Sequence, residues 1–279
     1  METLRQIQLN WPPLAFDVFK LGNGLLLLLL VFVPLERLFP AAVPGRRRWT
    51  SDILFYFLNS LLPPKLVIVA VLGLVWAMRH WLPDGLFPGL AALPGWARFP
   101  LALLVAETGF YWGHRWMHAS PRLWRFHALH HSASEMTWLV NTRAHPIDLV
   151  ITRLCGVLPL YLLGISRLGS VTLDVLPLLV ALVTSLWGYL IHANLRFDLK
   201  PLHALVATPA FHHWHHECVT GDRAATGHGH GNYAAMLPLL DRVFGTYRRP
   251  GPARPRRYGT DTPVPETMVD QVMAPFMSR

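Results

Sequence analysis

The sequence is poor in charge. Asp, Glu, Lys and Arg make up only 15% of its 279 residues, while 52% are hydrophobic. A soluble domain has about 25% charged residues, so this balance argues against an ordinary water-soluble protein. The same apolar excess excludes a disordered chain. There are two cysteines. Cys155 lies in an apolar run and Cys218 beside a histidine cluster, which excludes a disulfide scaffold and favours a reducing compartment. Lysine occurs only as Lys20, Lys65 and Lys200, so the net charge of +9 is almost all arginine. No Gly-x-Gly-x-x-Gly follows a strand-like run and no cysteine set suits an iron–sulfur cluster, so neither a flavin nor such a cluster is built in. No His-Glu-x-x-His is present either. Histidine, by contrast, is abundant: fifteen, of which fourteen follow residue 113.

Five apolar runs approach the roughly 20 residues that a membrane-crossing helix needs: Leu14–Glu36, Asp52–Met78, Phe99–Trp116, Ile147–Ile165 and Val171–Leu195. They predict an all-α, polytopic membrane bundle of four to five transmembrane segments with a cytoplasmic histidine-rich cap. The first run is read as a span and not a signal peptide, because little positive charge precedes it and no small-x-small cleavage site follows. Pro63-Pro64 predicts that the second run breaks into two half-helices or a hairpin. The third run leads straight into histidines and is expected to leave the bilayer as one helix. Arginine-rich and arginine-poor loops alternate, with Arg46, Arg47 and Arg48 after the first run and a basic C-terminal tail. This predicts an outside N-terminus and a cytoplasmic C-terminus, hence an integral protein of a bacterial inner membrane with its histidines on the cytoplasmic side. Positive-inside topology and anionic lipid account for the basic charge without any nucleic acid. Three regions are expected: a transmembrane region over 1–98, a catalytic domain over 99–247 and an irregular basic tail over 248–279.

The histidines fall at helical spacings. His114 and His118 lie one turn apart, and Glu107 and Tyr111 extend the same face. A carboxylate on that stripe suits the far N–H of a ligating imidazole, so Glu107 is expected to orient one. His127, His130 and His131 form a second cluster, with His130 and His131 pointing about 100° apart and suited to two different ions. His212, His215 and His216 repeat its spacing. Eight unpaired imidazoles near a membrane are costly to bury, and metal gives each a partner. Their number exceeds one zinc site. Imidazole suits iron, copper, zinc and nickel, and eight or nine such ligands point to a dinuclear iron centre with positions open for oxygen.

At these residues the chain resembles the membrane-bound fatty acid hydroxylase/sterol desaturase superfamily. The matching text is Tyr111-Trp-x-His-Arg-x-x-His118, Trp124-x-Phe-His-x-x-His-His-Ser132, His145-Pro146, His192-x-Asn194, the His212–His216 cluster, Asn232-Tyr233 and Asp241-Arg-x-Phe-Gly-Thr246. The resemblance covers roughly residues 100–247. It implies a di-metal, O2-dependent enzyme that hydroxylates or desaturates a C–H bond of a lipid or sterol-like substrate. Its ligand motifs match His114, His118, His127, His130, His131, His212, His215 and His216. His192 matches a further histidine, and His145 is open between ligand, ligand support and substrate gate. The family often has aspartate where Glu107 stands. Some of its fatty-acid hydroxylases have histidine where Gly188 stands, so one ion is expected to have fewer ligands. Two iron ions are implied, with zinc able to replace them in preparations. The two electrons are expected from a separate cytochrome or ferredoxin with its reductase.

The other histidines have plainer readings. His213 is expected to face outward or bind backbone, His80 and His203 to be interfacial, and His228 and His230 to be loop residues. Asn194 and Asn232 suit either an imidazole or backbone capping. Trp112, Trp116, Trp124, Trp138 and Trp214 suit a membrane-interface belt. Two rival functions remain at this point, a zinc-dependent membrane hydrolase and a non-catalytic metal-binding or transport protein. Oxygen uptake linked to lipid oxidation separates the first reading from both.

Overall fold

The structure, a computed structural model, describes residues 12–43, 49–81, 90–166, 174–197, 202, 205–218, 231–251, 254–261 and 264–277. Among the described residues there is no β-strand, only isolated bridges at Pro40–Leu195 and Glu217–Tyr258. The helices are α1 (Pro13–Leu38), α2 (Thr50–Trp81), α3 (Gly95–Ala119), α4 (Pro121–His131), α5 (Pro146–Leu162), α6 (Leu176–His192), α7 (Pro209–His215), α8 (Leu239–Val243) and α9 (Met268–Met273). Short 3-10 turns occur at Leu90–Ala92, Trp138–Thr142 and Ala274–Phe276.

Of the four to five expected spans, α1 and α2 are long and apolar enough to cross a membrane. Their outer faces leave Leu27, Leu30, Val31, Ile68 and Val69 exposed, a surface suited to lipid. α5 and α6 have 17 residues each, short of a straight crossing. The expected break at Pro63-Pro64 does not occur, since α2 is one helix through both prolines. Each proline lacks the N–H for a carbonyl one turn back, which releases the carbonyls of Asn59 and Ser60. Neighbouring groups can satisfy such carbonyls, so a membrane helix tolerates proline. The basic cluster Arg46–Arg48 and most of the loop after α2 lie outside the described residues.

α3 is a single helix that carries both His114 and His118, as expected from the third run. Ser120 ends α3 and begins α4, where its hydroxyl accepts from the Leu123 N–H. α3 crosses α5 at very short range. A Cβ placed on Gly109 would lie 1.9 Å from the Cys155 carbonyl oxygen, and one on Gly113 2.9 Å from the Cys155 Cβ. Only glycine permits this approach. Ala102, Ala106, Leu160, Ile165, Leu176 and Val180 close the core among α3, α5 and α6. On the other side, Phe32 of α1 stacks on Trp138 at 5.8 Å.

Buried polar clips join the layers. Glu36, at the end of α1, accepts from the backbone N–H groups of Trp138 and Asn194, each at 2.8 Å. Arg143 bonds Asp52 at 3.1 Å and Ser132 at 2.9 Å. Asn59 donates to the carbonyls of Thr142 and Ala144. These contacts hold the 3-10 turn and the residue after it beneath α4, where the histidines lie.

Candidate metal centre

Nine histidines from α3, α4, the last residue of α6, and α7 with its cap converge in the interior, all buried. They form two groups. His114, His118, His127, His131 and His215 make the first, and His130, His192, His212 and His216 the second. Within each group one nitrogen per ring lies within 4.8 Å of all the others. The adjacent His130 and His131 go to different groups, because successive residues of α4 point about 100° apart.

Hydrogen bonds determine which ring nitrogen carries the proton. The Nδ1 of His114 lies 2.7 Å from the Tyr233 carbonyl, that of His130 3.1 Å from the Arg143 carbonyl, and that of His192 2.6 Å from the Gly188 carbonyl. The Nδ1 of His215 lies 2.8 Å from the Gly231 carbonyl. A carbonyl only accepts, so each of these Nδ1 atoms donates and its Nε2 is left with a bare lone pair. The Nδ1 of His127 donates in the same way to the Asp148 carboxylate at 2.8 Å.

The bare Nε2 atoms face one another. His114 and His127 bring theirs to 3.1 Å, and His130 and His192 to 3.2 Å. In the second group the His212 Nε2 is 3.0 Å from that of His192, and the His216 Nε2 is 3.1 Å from that of His212. Two nitrogens bound to one ion at about 2.1 Å lie about 3.0–3.4 Å apart. Burial holds the second group uncharged: the His130 imidazole is pushed down to about 4, first by burial and then by His127. His212 and His216 fall well below their ordinary value for the same first reason, with neighbouring imidazoles adding to it. Neutral, converging lone pairs are the donor set that a divalent ion requires.

Several expectations are corrected. Glu107 does not take the far N–H of His114, which goes to Tyr233; its Oε2 accepts from the Met236 N–H at 2.8 Å. Nor does it pair with Arg115, which bonds the Tyr111 hydroxyl and the Phe244 carbonyl. His145 is no ligand in this arrangement, since both its nitrogens are engaged. Its Nδ1 accepts from the Ile147 N–H, capping α5, and its Nε2 donates to the Val272 carbonyl. Of the two readings of His213, facing outward is excluded, since it is buried beside the Tyr258 hydroxyl, and binding backbone is the one the structure favours, at His192 and Ala193. Asn194 pairs with the backbone of Ala42, and Asn232 with Phe211 and Arg248, so neither holds an imidazole. Trp138 is wholly buried in the core and so is no part of an interface belt, while Trp124 packs at 5.1 Å on His118. At Gly188 a Cβ would lie 2.5 Å from the Asn141 Oδ1, so a larger side chain there requires Asn141 to shift. The second group has four histidines against five, as expected from the glycine at this position. His203, His228 and His230, and the side chain of His80, lie outside the described residues.

Sequence reasoning missed Asp148 and, though it quoted Asp241 in the matching text, gave that residue no role. Asp241 accepts from the N–H groups of Tyr233 and Ala234 and from the Thr246 hydroxyl, which sets the loop whose Tyr233 carbonyl holds His114. Asp148 did carry a signal, as an acidic residue in an apolar run, where an ionisable group demands a partner.

Residues 99–246 match the family model for fatty acid hydroxylase, more than half of the chain. The chain belongs to the fatty acid hydroxylase family. Among its relatives, it is 36% identical over 179 residues to the ornithine lipid hydroxylase OlsE of Rhizobium tropici, which covers 63% of this chain and 49% of the relative. It is 30% identical over 177 residues to an alkylglycerol monooxygenase of Danio rerio, covering 62% of this chain and 34% of the relative. A Delta(7)-sterol 5(6)-desaturase of Gibberella zeae is 27% identical over 153 residues, covering 55% of this chain and 38% of the relative. The chain thus spans half or less of the length of these relatives. No solved structure matches it.

Proposed function

We propose that this protein is a membrane-bound, O2-dependent lipid hydroxylase with two iron ions held by the nine histidines. One observation carries the reading. Two pairs of buried imidazoles, His114 with His127 and His130 with His192, have their Nδ1 protons committed elsewhere and their Nε2 lone pairs about 3 Å apart. Such a contact is repulsive until a cation lies between the nitrogens.

In this reading His114, His118, His127, His131 and His215 hold one ion, and His130, His192, His212 and His216 hold the other. When bound, the ions supply the activation of oxygen that protein side chains lack. Overall, one oxygen atom enters a C–H bond to give an alcohol and the other leaves as water, with two electrons and two protons consumed. The chain supplies position and dryness. Asp148 keeps the His127 ring in one tautomer, and the Tyr233, Arg143, Gly188 and Gly231 carbonyls do the same for their partners. Trp124 and Tyr233 shield the first group from water. The electrons come from a separate cytochrome or ferredoxin with its reductase, to which exposed arginines such as Arg122, Arg242, Arg256 and Arg257 add long-range attraction for an acidic carrier. We place these arginines and the histidines on the cytoplasmic side of a bacterial inner membrane. The catalytic unit takes in residues 99–247, between the spans of 1–98 and the basic tail of 248–279.

A hydrolase is the weaker reading. It needs an uncommitted carboxylate beside the ligands as base, and Asp148 is held by His127 at 2.8 Å while Glu217, the residue after His216, is paired with Arg248 at 2.7 Å. The test is elemental analysis of anaerobically purified protein, followed by incubation with membrane lipids, a reductant and 18O2. About two metal ions per chain and one 18O atom in a lipid product are expected. At most one ion per chain, or a product labelled only from water, overturns the proposal.

A further inference from the structure

One half-buried cation has no part in the scheme above. Arg153 lies on α5, five residues beyond Asp148, or about 7.5 Å along the helix axis. It is half-buried, and it makes no ion pair and no hydrogen bond among the described residues. The Asp148 carboxylate is already committed to His127. The guanidinium lines a cavity of about 550 Å³ bounded by α1, α2, α5, α6 and the Trp138–Thr142 turn.

The cavity has two ends of different character. Toward the lipid-facing side its walls are Leu27 and Val31 of α1 and Leu182 and Leu186 of α6, all exposed on the outer face of the molecule. Its inner wall includes Thr142, Leu149 and Tyr189. Each of these directly adjoins a residue that holds an imidazole, namely Arg143, Asp148 and Gly188. The cavity thus opens between α1 and α6 and ends on residues next in the chain to three that hold imidazoles; no histidine lines it, and Arg153 lies within it. Its volume suits a lipid head and the first part of a chain. The lining also carries the neutral polar side chains of Tyr56, Asn59, Ser60, Asn141, Thr142, Ser185 and Tyr189, but no carboxylate. A guanidinium with no ion pair there is stabilised by an anion, and carboxylate and phosphate are the groups its fork fits.

We propose that this cavity takes a lipid with an anionic polar end, a carboxylate or a phosphate ester, seated on Arg153 with its chain leaving between α1 and α6. The carbon offered to the histidine centre then lies near the polar end of the lipid and not at the far end of its chain. This assignment of substrate class rests on the hydroxylase reading above.

The test uses the full chain, metal-loaded and solubilised in neutral detergent, with binding read by native mass spectrometry. The probes are oleate, dioleoyl phosphatidic acid and the neutral monooleoylglycerol. The wild type should bind at least one anionic probe ten-fold or more tighter than monooleoylglycerol, and the better of the two identifies carboxylate or phosphate. Arg153→Gln should abolish that preference while leaving monooleoylglycerol binding unchanged, and Arg153→Lys should keep part of it. Ser60→Asp, which adds a carboxylate to the same cavity, should also abolish it and serves where Arg153→Gln does not fold. Equal binding of all three probes by the wild type, or a preference that survives Arg153→Gln, overturns the proposal. Metal content measured on the same samples separates the two readings: loss of the metal claim leaves the lipid preference standing, and the reverse.

Discussion

The His127 imidazole and the Asp148 carboxylate meet at 2.8 Å inside the molecule, each side chain almost wholly buried. The contact joins α4 to the first turn of α5 and leaves the His127 Nε2 bare beside that of His114. A carboxylate behind a ligand in this way fixes the ring and raises its basicity.

Asp148→Asn removes the charge at nearly constant size, and its amide presents a donor as well as an acceptor to His127. Metal affinity should fall about 10–100-fold while the helical fold is retained. Chelator competition monitored by metal release, with circular dichroism on the same sample, measures both. Unchanged affinity would remove Asp148 from the support of the centre.

Glu107 acts on backbone, so its variants should behave differently. Glu107→Gln keeps an oxygen to accept from the Met236 N–H, and metal affinity should stay within about two-fold. Glu107→Leu leaves that buried N–H unsatisfied and should cost about 1–3 kcal/mol of stability. A large loss of metal in Glu107→Gln, without loss of stability, would restore the direct role expected from the helical stripe.

Gly109→Ala tests the crossing of α3 and α5. Its methyl would sit 1.9 Å from a backbone oxygen, so the helices must separate. We expect a loss of about 3 kcal/mol or more, or failure to fold. Gly73→Ala, with open space around the added methyl, should be neutral or stabilising. Comparable thermal unfolding of the two variants would mean that the helices do not pack at this distance.

Acid should destabilise the metal-free protein. The His130 pKa is pushed down from 6.5 to about 4 in the folded chain by burial, and those of His212 and His216 are also lowered. Below about 6.5 the unfolded chain binds protons that the folded chain does not, so stability falls as pH falls. The loss should run from about pH 6.5 toward pH 4, at up to about 1.4 kcal/mol per pH unit for each such group. The buried carboxyls of Glu107 and Asp148 take up protons in the folded chain over the same range and oppose part of the loss. Thermal unfolding of chelator-treated protein measures the net slope, and stability that rises steadily from pH 6.5 to pH 4 contradicts neutral burial of the cluster.

Much of the site was legible because its spacing is local. His114 with His118, and His127 with His130 and His131, lie one helical turn apart, and helix geometry alone puts each set on one side. The error at Glu107 has the same root. Position on a helical stripe says which groups are near, and it says nothing about a competing acceptor brought from elsewhere. At His114 that acceptor is the Tyr233 carbonyl, 119 residues away. His145 misled for a related reason, since its place before Pro146 reads equally as a cap or a ligand, and only the arrival of Val272 engages its second nitrogen. The unbroken α2 shows that two prolines in an apolar run do not by themselves dictate a hairpin.

By itself the sequence determined the helical class, the family and the set of histidines, because hydropathy, motif order and one-turn spacing are properties of the chain read along its length. Tertiary structure alone decided which histidine joins which group, which nitrogen of each ring is bare, and that Arg153 lines a cavity that opens between α1 and α6. The physical reason lies in the partners. Four of the rings are oriented by backbone carbonyls, at Tyr233, Arg143, Gly188 and Gly231. Every residue carries a carbonyl, so none has a signature in sequence, and only folding selects the few that face an imidazole.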